Sequence, residues 1–118
     1  MNKTFKEDNA KLQPQDATTR AICKYIDEHL QENLSYKHMQ KIFFVSRYYL
    51  ATKFLQQTGM TLTKYVILRR LCHTCALAKN GMTIEEAAYQ SGFNNYSHFY
   101  KEFTKNFRLS PREYFGKL

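Results

Sequence analysis

Two stretches of this chain can be laid over one another, and their order constrains the fold more than any other feature. Ser46-Arg47-Tyr48-Tyr49-Leu50-Ala51-Thr52-Lys53-Phe54 aligns with Asn95-Tyr96-Ser97-His98-Phe99-Tyr100-Lys101-Glu102-Phe103 at a shift of 49. At that shift Leu50 falls on Phe99, Phe54 on Phe103, Thr61 on Ser110 and Tyr65 on Tyr114. At a shift of 48, Ser35 falls on Thr83 and Met39 on Ala87, so the second copy carries one extra residue between its helices. Each copy reads as a short helix, a tight turn and a longer helix with two large apolar residues four apart, a spacing that puts both on one face. That is a helix-turn-helix unit, twice. A solenoid of helix pairs would need three or more repeats stacked directly, whereas here a long helix separates the copies.

Capping residues punctuate the rest. Ser35 is expected to cap a short helix to about Phe43, and Ser46 a longer one from Arg47 to about Thr58, with Gly59 as its left-handed stop. Thr61 opens a long helix that Asn80-Gly81 ends. Thr83 with Glu86 predicts a capping box for a short helix closed by Gly92. Asn95 caps the next helix, to about Asn106, and Ser110-Pro111-Arg112-Glu113 predicts a second box with Pro at the first helical position. Ahead of these, Ile22, Ile26 and Leu30, with Cys23 beside them, form a helical stripe running from about Asp16 to near Leu34. Residues 1–15 are polar without a period and read as a disordered arm or linker stub. No stretch alternates as a strand would between turn dipeptides. The expectation is an all-α fold of about seven helices. Two helix-turn-helix subdomains, 16–60 and 81–118, are joined by a long central helix over 61–80.

Charge indicates what such a pair of units meets. Eighteen Lys/Arg against ten Asp/Glu leave a net charge of +8, a balance that favours polyanions. No run of five like charges occurs, so the excess belongs to a folded surface rather than a tail. Three cysteines, an odd number, and a start without signal-peptide character point to a reducing, cytoplasmic setting. No apolar run approaches the ~18 residues that span a bilayer, so no membrane is expected as a partner.

The segment IEEAAYQSGFNNYSHFYKEFTKNFRLSPREYF resembles the signature of the AraC/XylS family of bacterial transcription regulators. The matching places hold Glu86-Ala87-Ala88, Gly92-Phe93, Asn94-Asn95, Ser97, His98, Phe99, Lys101, Phe103, Ser110-Pro111 and Tyr114. The first copy matches more loosely through Ser46, Tyr49-Leu50, Phe54, Thr58-Gly59 and Tyr65. The resemblance covers roughly residues 18–116. It implies a DNA-binding fold of two subdomains, each placing its second helix in the major groove of double-stranded DNA, in windows about 34 Å apart. A monomer would then read two half-sites, or a dimer would form through a sensor domain absent from this chain. In regulators of this type the outer face of a unit can also contact RNA polymerase. The sequence departs from the family pattern where Thr52 and Lys101 stand for Arg, His98 for Tyr, Gln40 for a small residue, Arg108 for Gly and Phe115 for Arg.

On a helical wheel the second long helix puts Phe99 and Phe103 on one arc, with Tyr96 and Phe107 nearby; these are core positions. Ser97, Lys101, Thr104 and Lys105 fall opposite, with Tyr100 on the border. By the wheel alone that is a solvated face. With the repeat and the resemblance, the expected second reader comprises Asn95, Tyr96, Ser97, Tyr100, Lys101 and Lys105. Lys101 would donate to guanine O6/N7, Ser97 to base or phosphate, and the Tyr100 ring would meet a thymine methyl. In the first long helix Tyr48, Thr52 and Leu55 point outward, with Arg47 and Ala51 at the edges. The resemblance makes Tyr48, Ala51 and Thr52 base-reading positions. None is a strong donor, so methyl contacts or shape readout are expected there.

Helix N-termini with nearby cations suit phosphates. Ser35, Thr61, Thr83 and Ser110, with Lys37, Arg47, Lys64 and Arg112, are the candidates beside their plainer role as caps. Cys72 and Cys75, three apart, would suit a metal or redox pair. They fall on the apolar stripe of Tyr65, Leu68 and Leu71, so core packing is expected and no metal or cofactor. No nucleophile–base pair or glycine-rich phosphate loop argues for an enzyme. The competing functions are a helical protein-interaction module and a thiol-based sensor acting through Cys23, Cys72 and Cys75.

Overall fold

The computed structural model describes residues 14–116; the arm expected over 1–15 lies almost entirely outside them. Among the described residues there are seven α-helices and no strand, the all-α fold that the spacing predicts. They are α1 (Ala17–Glu28), α2 (Tyr36–Phe43), α3 (Phe54–Thr58), α4 (Leu62–Lys79), α5 (Ile84–Gln90), α6 (Tyr96–Phe107) and α7 (Pro111–Phe115). A π-helical turn, Tyr49–Lys53, runs directly into α3. The chain forms two compact units. One holds residues up to Glu28 with Leu34–Tyr65, and the other holds His29–Asn33 with Val66 onward.

In the first unit, Ile22 and Ile26 of α1, Met39 of α2, Leu50 of the π turn, Phe54 of α3 and Leu62 of α4 are all buried. The Tyr25 ring meets Phe43 edge-on at 5.7 Å, and Tyr65 meets Phe54 at 5.6 Å and 79°. In the second unit, Leu71, Ala88, Phe93, Phe99 and Phe103 form the core, with Ile67, Leu68, Phe107, Tyr114 and Phe115 packed against it. Each buried Phe contributes ~1.5–3 kcal/mol by leaving water. Tyr114 meets Phe103 at 5.5 Å and 79°. The shift of 49 thus carries the Phe54–Tyr65 pair onto Phe103–Tyr114, so the repeat holds in packing as well as in letters.

The turns repeat too. Phe44 (φ 53°) and Gly92 (φ 105°), 48 apart, are both left-handed residues between the helices of a unit. Gly59 (φ 78°) and Arg108 (φ 62°), 49 apart, end the two longer helices in the same conformation. A Cβ on Gly92 would lie 2.0 Å from the Leu30 carbonyl oxygen, so no larger residue fits. Phe44 meets no such obstacle and leaves its ring 93% exposed.

Three local expectations need correction. The helix expected to run to Leu34 ends at Glu28, because the Leu30 and Glu32 carbonyls accept from the Arg70 guanidinium (2.9 Å each) instead of continuing a helical ladder. The Thr83 box is half formed. Thr83 Oγ1 accepts from the Glu86 amide, but the Glu86 carboxylate accepts from Gln90. Finally, Cys72 is exposed, whereas Cys75, half-buried, packs against the core as expected. Thr74 takes the interior place, its hydroxyl satisfied by donating to the Arg70 carbonyl at 2.9 Å.

Candidate nucleic-acid interface

In the second unit the candidate site is the outer face of α6. The helix begins where Asn95 Oδ1 accepts from the His98 amide at 2.8 Å, and it is held down by Phe99 and Phe103, both fully buried. With those anchors inward, Ser97, Lys101 and Lys105 are exposed, and Tyr100 is 45% exposed. Tyr96 is a border residue: 40% exposed, its ring 5.4 Å from Phe99 and 6.3 Å from Tyr100. Partial burial, with Glu85 nearby, pushes its phenol pKa up, so it stays a neutral donor. The Thr104 hydroxyl donates back to the Tyr100 and Lys101 carbonyls. Alongside, Tyr100, Thr104, Arg108, Leu109, Ser110 and Glu113 line a groove of about 500 Å³. Arg108 is exposed there and was missed by the wheel, which stops before the left-handed residue; its signal in the sequence is an arginine where a glycine is usual.

In the first unit, Ser46 Oγ accepts from the Tyr49 amide at 3.0 Å. Arg47 is exposed, its guanidinium carbon 4.4 Å over the Tyr36 ring, a cation–π contact that aims the side chain. Tyr48 is 73% exposed and Ala51 is exposed. Thr52, expected outward, is half-buried, while Lys53 is exposed. The π turn explains the difference. The Phe54 amide bonds the Tyr49 carbonyl, five residues back, so the stretch holds one residue more than a regular α-turn and a 3.6-residue wheel slips out of phase. The candidate first reader therefore has a cation beyond Arg47 that the wheel did not place on its outer face.

The expected phosphate positions lie at helix starts. Ser35, Thr61, Thr83 and Ser110 each accept from the amide three residues on, and Ser110 with Glu113 completes a full capping box. Each cap satisfies one of the four amides at a helix start. Lys37, Lys64 and Arg112 beside them are exposed. The structure thus brings Ser97, Tyr100, Lys101 and Lys105 onto one helix, with Arg112 on the helix that follows, while Ser35 and Lys37 belong to the start of α2. Among the described residues no group of three or more His, Cys, Asp or Glu could hold a metal ion. No described helix is long and apolar enough to cross a membrane. Burial, then Cys72, pushes the Cys75 thiol pKa up, away from thiolate chemistry.

A family model for a helix-turn-helix domain matches residues 39–117. The HTH-type transcriptional activator RhaS of Enterobacter sp. (strain 638) is 28% identical over 103 residues, 86% of this chain and 37% of that protein. The HTH-type transcriptional regulator YijO of Escherichia coli (strain K12) is 31% identical over 99 residues, 83% of this chain and 35% of that protein. The chain thus spans about a third of the length of the curated relatives it matches. Among solved structures, the C-terminal domain of AraT, a response regulator from Geobacillus stearothermophilus, has the same fold. Its TM-score is 0.78 at 23% identity, covering 84% of each chain. A DNA-binding transcriptional dual regulator from Escherichia coli K-12 superposes with a TM-score of 0.73 at 18% identity, over 88% of this chain and all of that one. With the duplicated units and the matched model together, the chain belongs to the helix-turn-helix family of AraC/XylS-type regulators.

Proposed function

We propose that this chain binds double-stranded DNA sequence-specifically, as the DNA-binding part of a bacterial transcription regulator working in the cytoplasm and without catalytic activity. The observation that carries the reading is the division of α6. Phe99 and Phe103 are wholly buried, while Ser97, Tyr100, Lys101 and Lys105 are presented outward on a helix that follows a short helix and a tight turn. A helix of this diameter fits the major groove, and those side chains match its chemistry: Lys101 for guanine O6/N7, the Tyr100 ring for a thymine methyl, Ser97 for base or phosphate. Lys105, Arg108 and Arg112, all exposed, supply the cations for the backbone. In the first unit Tyr48, Ala51 and Lys53 are the reading set, with Arg47 and the starts of α2 and α4 toward phosphates. Transcription activation with RNA polymerase as a second partner extends this reading, in line with the activator named among the relatives.

The test is titration of fluorescent duplexes with the chain across salt. Six to ten phosphate contacts lower affinity about 10³–10⁵-fold between roughly 50 and 200 mM salt. Absence of binding to any duplex at the low-salt end would refute the reading.

A further inference from the structure

Asp16 caps α1, yet most of what its side chain touches lies on the first reading helix. Its Oδ1 accepts from the Thr19 amide at 2.8 Å, which is the cap. The Tyr49 hydroxyl donates to the same carboxylate, 3.0 Å from either oxygen, and Gln57 Nε2 donates to Oδ2 at 3.2 Å. The Asp16 amide donates in return to Gln57 Oε1 at 3.0 Å, and Thr19 Oγ1 lies 3.3 Å from the Tyr49 hydroxyl. The Gln57 amide cannot turn over, because its oxygen is needed by an N–H and its nitrogen by a carboxylate. Thr19 and Gln57 are buried.

Tyr49 opens the π turn, and Gln57 lies near the end of α3. One carboxylate therefore grips the helix at the first residue of the π turn and again beyond its end. A π turn is rare and holds one residue more than an α-turn. If it relaxed to α pairing, the residues after it would rotate by about 100° relative to those before it. Tyr48 stands before the turn, and Ala51 and Lys53 within it. Their mutual angle is set by whether the turn persists.

We infer that Asp16, Tyr49 and Gln57 are positioning residues whose hydrogen bonds hold the π turn and so set the angle at which Tyr48, Ala51 and Lys53 meet DNA bases. The inference rests on the DNA-binding reading above. Tyr49→Phe keeps the ring and removes only the hydroxyl, and Asp16→Asn keeps an acceptor for the Thr19 amide. Couplings across hydrogen bonds in the NMR spectrum of the full chain identify which carbonyl the Phe54 amide bonds. The expected result is Tyr49 in the wild type and Leu50 in Tyr49→Phe and Asp16→Asn. Unchanged π pairing in both variants overturns the positioning role. On duplexes selected by the wild type, both variants should lose about five- to tenfold discrimination against base changes in one half-site and keep it within about twofold in the other. An equal loss at both half-sites, or a lower melting temperature with discrimination intact, means these residues only stabilise the fold. A wild-type chain that prefers no duplex overturns the DNA reading itself, while the NMR result still decides whether the network holds the turn.

Discussion

The two copies place a left-handed residue at the same point, and opposite substitutions there should have opposite effects. Gly92 has φ 105°, and a Cβ built on it lies 2.0 Å from the Leu30 oxygen and 2.7 Å from Arg70 Nε. Gly92→Ala must therefore move backbone and disturb the bond by which Arg70 Nε donates to that same oxygen. Backbone strain costs ~1–3 kcal/mol, and loss of a charge-assisted hydrogen bond ~1.5–3, so the expected destabilisation is roughly 2.5–6 kcal/mol. Phe44 has φ 53° and a ring 93% exposed. Phe44→Gly relieves ~1–2 kcal/mol of left-handed strain and adds ~0.4–1 kcal/mol of unfolded-state entropy. The net is ~0–1.6 kcal/mol in favour of glycine. Urea titration followed by NMR, with resonances of each unit fitted separately, measures both. Should Gly92→Ala cost less than ~1 kcal/mol, or Phe44→Gly cost more than that, the account of the turns is wrong.

Lys101→Ala should weaken binding to selected duplexes and relax base preference in the second unit's half-site, and Thr52→Ala, at a half-buried position, should do less; competition titrations decide, and the reverse order would refute leaving Thr52 out of the first reading set. Phe103→Ala empties the centre of a ring cluster formed by Phe99, Phe107, Tyr114 and Phe115, and should destabilise the second unit by ~3–5 kcal/mol in the same urea experiment. The Thr19 amide first, with Gln57 and Tyr49, lowers the Asp16 pKa from 3.8 to about 2. A depressed carboxylate stabilises the fold above its unfolded pKa and loses that contribution as pH falls through its folded one. The melting-temperature gap between wild type and Asp16→Asn should therefore close between about pH 4 and pH 2, and a gap that does not change with pH contradicts this.

The elements easiest to read in the sequence were those governed by local rules. Asn95, Ser110 and Ser35 cap where they should because a short polar side chain next to an apolar period has one favourable use. Phe99 and Phe103 declare a buried face by their spacing alone. What escaped was decided by distant partners. Arg70 looks like a surface cation on a wheel, but carbonyls some forty residues earlier draw it inward and end α1 early. Thr74 looks polar enough for the surface, and only its bond to the Arg70 carbonyl makes it a core residue in place of Cys72. The π turn carries no proline or glycine to announce it, so a regular wheel turned Thr52 outward and gave Lys53 no place there. In the sequence Asp16 only marks where the first helical stripe begins, and nothing near it reveals Tyr49 and Gln57 as its partners. In the candidate site, α6 was therefore legible almost residue by residue, and the first reader only in its anchors.

On the DNA-binding reading proposed above, the outer faces of both reading helices recognise DNA sequence. Selection of bound duplexes from a random pool by the full chain tests it most directly. The expected result is two blocks of fixed bases about 10–10.5 base pairs apart, with guanine or thymine features in the block that Lys101→Ala relaxes. Enrichment of no sequence, or of a single block untouched by Lys101→Ala, would contradict it.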